Sequence, residues 1–199
     1  MSKQLCRINQ VLTVMMALIV VPCSTTRLIP EGQYLLKDVD INIDNPDVSK
    51  SDLEDYLVQK PNDNVIGLWI YNWSGADTSK WINRQIRKIG SAPVIYNQAS
   101  SNQSAEELNM ALKNKGYLNA EVTVSDTTYD KKAEVTFDIQ THDPHRIREY
   151  TVDFPNDQAE STVARWRAAN RSVIDSAAIL DLDMLETERG NITQLLRNL

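Results

Sequence analysis

Cysteine is nearly absent from this chain, and both copies, Cys6 and Cys23, lie at its very start. The body of the protein therefore has no thiol for a disulfide, a metal or nucleophilic chemistry. Histidine is as scarce, with only His142 and His145. Basic residues are outnumbered, 21 against 27 acidic, for a net charge of −6. An acidic chain repels nucleic acid, and neither a basic stripe nor an RNA-binding motif is present. The longest apolar run covers eleven residues, Val11 to Val21 (VLTVMMALIVV), too short for a full membrane span. There is no Gly-x-Ser-x-Gly, no phosphate loop and no Cys–His pair.

The apolar run is informative through its flanks. Lys3 and Arg7 precede it, and Pro22-Cys23-Ser24 follow. A basic stretch before a short apolar core is an export signal. A cysteine directly after that core resembles the lipobox of bacterial lipoproteins. That resemblance implies cleavage before Cys23, lipid on its thiol and amine, and a chain held outside the cytoplasm by acyl chains. Pro22 stands where the lipobox usually carries Gly, Ala or Ser. The other reading is an uncleaved anchor helix that ends at Pro22. Ser24 to Arg27 (STTR) carries no acid, which argues for a periplasm-facing anchor. Without residues 1–22 the 21 basic residues fall to 19 against 27 acidic, a charge of −8. The remaining 177 of 199 residues suit one domain or two small ones.

Residues 23–33 read as a polar tether. Tyr34 to Ile43 alternates, with Val39, Ile41 and Ile43 against Asp38, Asp40 and Asn42, and predicts a half-buried strand. Ser49 to Gln59 predicts a helix with Leu53, Tyr56 and Leu57 on one face and a capping box from Ser51 and Glu54, or Ser49 and Asp52. Pro61 ends it. Residues 61–100 form an irregular inserted segment. Within it, Asp77 or Thr78 can cap a short helix whose inner side is Trp81, Ile82, Gln85, Ile86 and Ile89, closed by Gly90. Pro93 to Tyr96 is extended, and Asn97 to Gln103 is a polar loop. Ser104 to Lys115 is the clearest helix, with a capping box from Ser104 and Glu107, a buried face of Leu108, Ala111 and Leu112, and Gly116 past its end. Ala120, Val122 and Val124 alternate, as do Ala133, Val135, Phe137 and Ile139. The turn Ser125–Lys132 joins them into an antiparallel hairpin.

After a short linker at Thr141–His145 the pattern restarts. Tyr150, Val152 and Phe154 predict a strand, and a helix follows from about Gln158 to Ala169. Asp183 and Glu186 cap a last helix bearing Leu185, Ile192, Leu195, Leu196 and Leu199. No hairpin follows it, so this second unit, residues 146–199, is incomplete and short of sheet. Weak protection from hydrogen exchange is expected there.

The order strand–helix–helix–strand–strand, with Leu112–Val122 (LKNKGYLNAEV) leading into the hairpin, resembles a POTRA (polypeptide-transport-associated) domain. Lys115-Gly116-Tyr117 is its most recognisable part. Leu195-Leu196-Arg197-Asn198 looks like the same helix end in a second copy. Trp69 to Trp73, Gly90–Tyr96 (GSAPVIY) and the LKNKGY segment together look like the N-terminal region of TamA-like outer-membrane assembly proteins, in the lipid-anchored form. The fold implied is α+β: a β-α-α-β-β unit at residues 34–142, a three-stranded sheet with helices on one face, then the partial copy. That family continues into a membrane β-barrel, so the chain is expected to be an N-terminal fragment or a truncated product.

The resemblance implies no catalysis and no cofactor. It implies a module at the periplasmic face of the outer membrane. Its partners would be unfolded outer-membrane proteins or assembly-machine subunits, and it would contact the membrane through its N-terminal lipid. Unfolded clients would add a strand to an open sheet edge. In the family that edge is the second strand, here Tyr117 to Ser125, with Asn119, Glu121 and Thr123 facing outward. An ordinary solvated edge guarded by Glu121 is the plainer reading of those side chains. A structural adaptor that binds one folded partner is the alternative function.

The aromatic cluster has two readings. Trp69, Tyr71 and Trp73 are either a core or junction patch, or a docking surface for a partner or the membrane interface. The periodicity around Trp81 favours core for that residue. His142 and His145 with Asp143 supply at most three ligands, and Pro144 between them favours a linker over a metal site. Asp181-Leu182-Asp183 lacks the Gly and Glu of a calcium loop and reads as a helix start.

Overall fold

The computed structural model describes residues 25–175 and 177–197. The expected signal, Cys23 and Leu199 lie outside the described residues.

Three strands and four helices build the first unit. Strand β1 is Leu35–Ile43, followed by helices α1 (Lys50–Glu54), α2 (Val65–Trp73), α3 (Trp81–Ile89) and α4 (Gln98–Asn114). Strands β2 (Glu121–Tyr129) and β3 (Lys132–Gln140) complete it. The sheet order is β1-β3-β2, with β1 parallel and β2 antiparallel to the central strand. This is the mixed α+β, three-stranded arrangement that the strand pattern implied. The hairpin is tighter than expected. Only Asp130 and Lys131 separate the strands, both with positive φ (45° and 59°), as a two-residue turn with native twist requires.

Alternation decides which face of the sheet is covered. Ala133, Val135, Phe137 and Ile139 of β3 are all buried, and the last three meet Leu36 and Ile41 of β1, Leu53 of α1, and Leu108, Ala111 and Leu112 of α4. Leu36 reaches the same face as Ile41 despite opposite parity in sequence. A register shift between Leu36 and Asp38 inserts the extra residue that makes this possible. The opposite face carries Asp40, Asn42, Glu134, Thr136 and Asp138 and stays polar.

Several expectations about helix ends are corrected. The helix expected from Ser49 to Gln59 is only Lys50–Glu54, and Ser49 makes no side-chain cap; it bonds the Ser51 hydroxyl instead, at 2.7 Å. The region read as a polar loop at Asn97 to Gln103 is the first turns of α4, capped by Asn97, whose side chain accepts from Ala99 N at 2.9 Å. Ser104 is therefore inside the helix. Its hydroxyl donates to Ser100 O at 2.9 Å and accepts from Val58 N at 2.9 Å. It ties the segment after α1 to α4 rather than capping anything. Gly116 does close α4, at φ +93°.

The second unit contributes α5 (Asp157–Ala168) and α6 (Leu182–Arg197), which pack on each other. The strand expected at Tyr150, Val152 and Phe154 does not form. Among the described residues that stretch has no partner strand to complete its hydrogen bonds, so alternation alone could not hold it extended in a sheet. A single bridge between Arg146 and Ile179 is what remains of strand pairing here. The last helix is capped by Asp181, which accepts from Asp183 N and Met184 N, rather than by Asp183.

Candidate functional site

The two sheet edges differ in how far they are closed. At its start β1 is covered: Leu36 N donates to Val94 O at 2.9 Å, Tyr96 N donates to Tyr34 O at 2.8 Å, and Leu35 bridges Ile95. Further along, the chain closes itself. Asp38 accepts from Val39 N at 3.0 Å and Asp40 from Ile41 N at 2.9 Å. Lys50 pairs with Asp40, and that bond first, ahead of the Ile41 amide, holds the carboxyl below its ordinary value. Amides engaged by their own side chains are poor templates for an incoming strand.

The other edge, β2, has no strand beside it among the described residues. Val122 and Val124 pack toward the core, while Glu121, Thr123, Ser125 and Thr127 are exposed. Of the three outward residues expected from sequence, Glu121 and Thr123 lie on this strand, opposite Gln140 and Asp138. Asn119 is exposed but belongs to the turn before β2, because the strand begins at Glu121 and not at Tyr117. At its far end Lys37 donates to Glu134 at 2.5 Å and to the Tyr129 hydroxyl at 2.7 Å, locking β1, β3 and β2 together.

The inserted segment folds as an antiparallel helical hairpin. Gly67 of α2 accepts from Ser91 N at 2.9 Å, and Gly90 at the end of α3 lies against the Tyr71 backbone. The seam between the helices is polar. Asn83 of α3 accepts from Gly75 N at 3.0 Å and donates to Asp77 O at 2.7 Å; Arg87 donates to the Ser74 hydroxyl at 3.0 Å and to Gly75 O at 3.1 Å. Asn72 of α2, also buried, accepts from Leu28 N and donates to Thr25 O. The described part of the expected tether is thus docked on the hairpin, with Ile29 buried against Leu35 and Leu68.

This arrangement reverses the expected orientation of α3. Of the inner side read from the period, Trp81, Ile82 and Ile89 are 67, 59 and 75% exposed, and Gln85 and Ile86 are half-buried. Their period marks an apolar face, but Asn83 and Arg87 have carbonyls to bond only on the other side, and that side went inward. The aromatic trio also separates. Trp69 and Trp73, four apart on α2, stack at 6.0 Å on the outside. Tyr71 turns into the seam, under the Arg87 guanidinium at 5.3 Å.

His142 and His145 sit in the connection after β3, where the His145 backbone bonds Gly116 O and Leu180 N. Among the described residues no group of three His, Cys, Asp or Glu is placed to hold a metal. No helix among them is long and apolar enough to cross a membrane.

The sheet topology and the helices on one face define a small α+β module with β2 as its uncovered edge among the described residues. The model of the POTRA family, described as a surface antigen variable number repeat, matches residues 34–141, just over half of the 199. The chain belongs to that family. No curated protein matches it. Among solved structures it is similar to the crystal structure of Haemophilus influenzae BamA POTRA3-5, at 13% identity and a TM-score of 0.39, over 81% of this chain and 50% of that one. The match thus spans half the length of that solved chain.

Proposed function

We propose that this chain is the periplasmic, lipid-anchored part of an outer-membrane barrel assembly factor of the TamA-like kind. Its β2 edge receives unfolded client strands by augmentation, with Glu121 and Thr123 flanking the docked strand and Asn119 at its entrance. Anchoring is through Cys23, and residues 146–199 belong to a second POTRA-like unit. The observation that carries the reading is the contrast between edges: β1 is closed by residues 94–96, Asp38 and Asp40, and β2 is open along its length. Augmentation draws its affinity from main-chain hydrogen bonds, so it accepts many sequences, as a handler of diverse barrel precursors must. Membership of the POTRA family supports the class of function.

The test is backbone amide exchange on the full chain, with and without a peptide copying one strand of an outer-membrane barrel. Amides of β2 that point away from β3 gain protection, those of β1 do not change, and peptides of unrelated sequence compete. Protection at β1 instead, or none anywhere, overturns strand addition. Tight binding of a single folded protein without peptide binding would establish the adaptor function.

A further inference from the structure

The hairpin α2–α3 is inside out, and its outer surface has a consistent chemistry. Helix α2 (VIGLWIYNW) contains no charged residue, and Val65, Ile66, Trp69 and Trp73 are exposed on it. Helix α3 (WINRQIRKI) repeats the spacing, with Trp81, Ile82 and Ile89 exposed. In both, the apolar positions fall at the first, second and ninth residues, which share an arc of about 100° at 3.6 residues per turn. Flanking the α3 arc are cations. Lys80, Arg84 and Lys88 make no ion pair among the described residues, and neither helix holds an acid. In a chain of net charge −6 this is a local basic island.

We infer that this outer surface docks on an anionic phospholipid bilayer, with the tryptophans and isoleucines in the interfacial region and Lys80, Arg84 and Lys88 over the headgroups. Two further observations select lipid as the occupant. Tryptophan beside apolar and basic side chains is the composition of interfacial helices. Second, the chain enters the hairpin where lipid is expected. Thr25 O is held by Asn72 at 2.8 Å, one residue from Trp73. Cys23 is two residues before Thr25, so at most about 7 Å of extended chain separates them. The inference rests in this respect on the proposed anchor at Cys23, and it gives that anchor a purpose for its partner surface. Acyl chains on Cys23 would hold the chain at a bilayer without fixing how it faces it, and a docked apolar and basic surface sets that orientation.

The chain carries its own probes. Trp69, Trp73 and Trp81 lie on the hairpin and Trp166 lies on α5, in the second unit. The full chain, purified from membranes, is mixed with phosphatidylcholine vesicles with or without phosphatidylglycerol, their acyl chains brominated to quench nearby indoles. Flotation reads attachment, and quenching reads docking. In W166F, which leaves only the hairpin tryptophans, quenching is strong and greatest with phosphatidylglycerol. In the variant Trp69→Phe, Trp73→Phe, Trp81→Phe, which leaves Trp166, it is weak. Replacing Lys80, Arg84 and Lys88 by Gln weakens the hairpin's partitioning about a hundredfold, at roughly fivefold per charge near an anionic surface.

A chain that floats on both vesicles while its hairpin tryptophans stay unquenched overturns docking and leaves the anchor standing. Quenching on anionic vesicles that persists in C23S establishes docking by the hairpin itself, and flotation on phosphatidylcholine alone that is unchanged in C23S overturns the lipid anchor. Hairpin emission shifted to the blue without lipid and insensitive to bromine places a second copy or another protein on this surface, and overturns the inference.

Discussion

Lys37, Glu134 and Tyr129 meet at one end of the sheet, each from a different strand, in a triad that only a correct register can assemble. The Lys37 ammonium first, and then the Tyr129 hydroxyl, hold the Glu134 carboxyl below its ordinary 4.5. A depressed acid contributes stability that is fully present above pH 4.5 and is lost as pH falls through the lower folded value. A carboxyl-resolved NMR titration should therefore place Glu134 below 4.5, and Lys37→Met should move it upward more than Tyr129→Phe does. A second residue-scale constraint is Gly116. It combines φ +93° with a crowded Cβ direction, where an added carbon would stand 2.6 Å from Ile179 Cγ2 and 2.8 Å from Leu180 O. Gly116→Ala should cost roughly 1–3 kcal/mol in a denaturant titration, through backbone strain and displacement of residues 179–180. Gly116 as a helix end was legible from the Leu112–Tyr117 pattern. Its contact with a segment more than sixty positions away was not, because nothing local encodes it.

At the scale of elements, β3 was the easiest to read, since four alternating apolar residues leave one way to bury them. The helix α3 was read correctly as amphipathic and incorrectly as to which face is covered. Its hydrogen-bonding side chains, Asn83 and Arg87, find the Asp77 and Gly75 carbonyls and the Ser74 hydroxyl and so take the inner position. The hairpin also depends on close helix approach. At Gly90 a Cβ would stand 2.5 Å from Tyr71 N, a backbone atom that cannot step aside. Gly90→Val should pry α3 from α2 at a cost of about 1–3 kcal/mol, as overpacking does. Amide exchange should quicken across Val65–Trp73 and Trp81–Ile89 while β3 stays protected. Loss of protection throughout the sheet would instead show that hairpin and sheet unfold as one.

For the molecule as a whole, stability resides in the layer where β3 meets α1 and α4. Phe137 is 2% exposed at its centre and touches both strands' inner faces. Phe137→Ala should destabilise the sheet unit by about 3–5 kcal/mol, measured as a fall in the denaturant midpoint. The second unit has a smaller apolar interior, with Ala159, Val163 and Ile192 buried. Its cohesion relies on Glu188, fully buried, which accepts from the Ser172 hydroxyl at 2.7 Å and Val173 N at 3.0 Å and faces Arg167. The expected weak protection of residues 146–199 follows from that contrast, and α5 and α6 should exchange before β3 does.

What the sequence by itself determined is local: the alternation of β1, β2 and β3, the apolar face of α4, and the glycine that ends it. Each of these depends on neighbours within a turn or a pleat, where period and side-chain chemistry are sufficient. Only the tertiary structure decided which sheet edge stays open, which face of the hairpin turns outward, and whether residues 150–154 pair. Those outcomes depend on partners far along the chain, such as Leu28 and Thr25 for Asn72, or residues 94–96 for β1. Periodicity announces that a face exists; burial is settled by whichever distant surface satisfies its hydrogen bonds and covers its area.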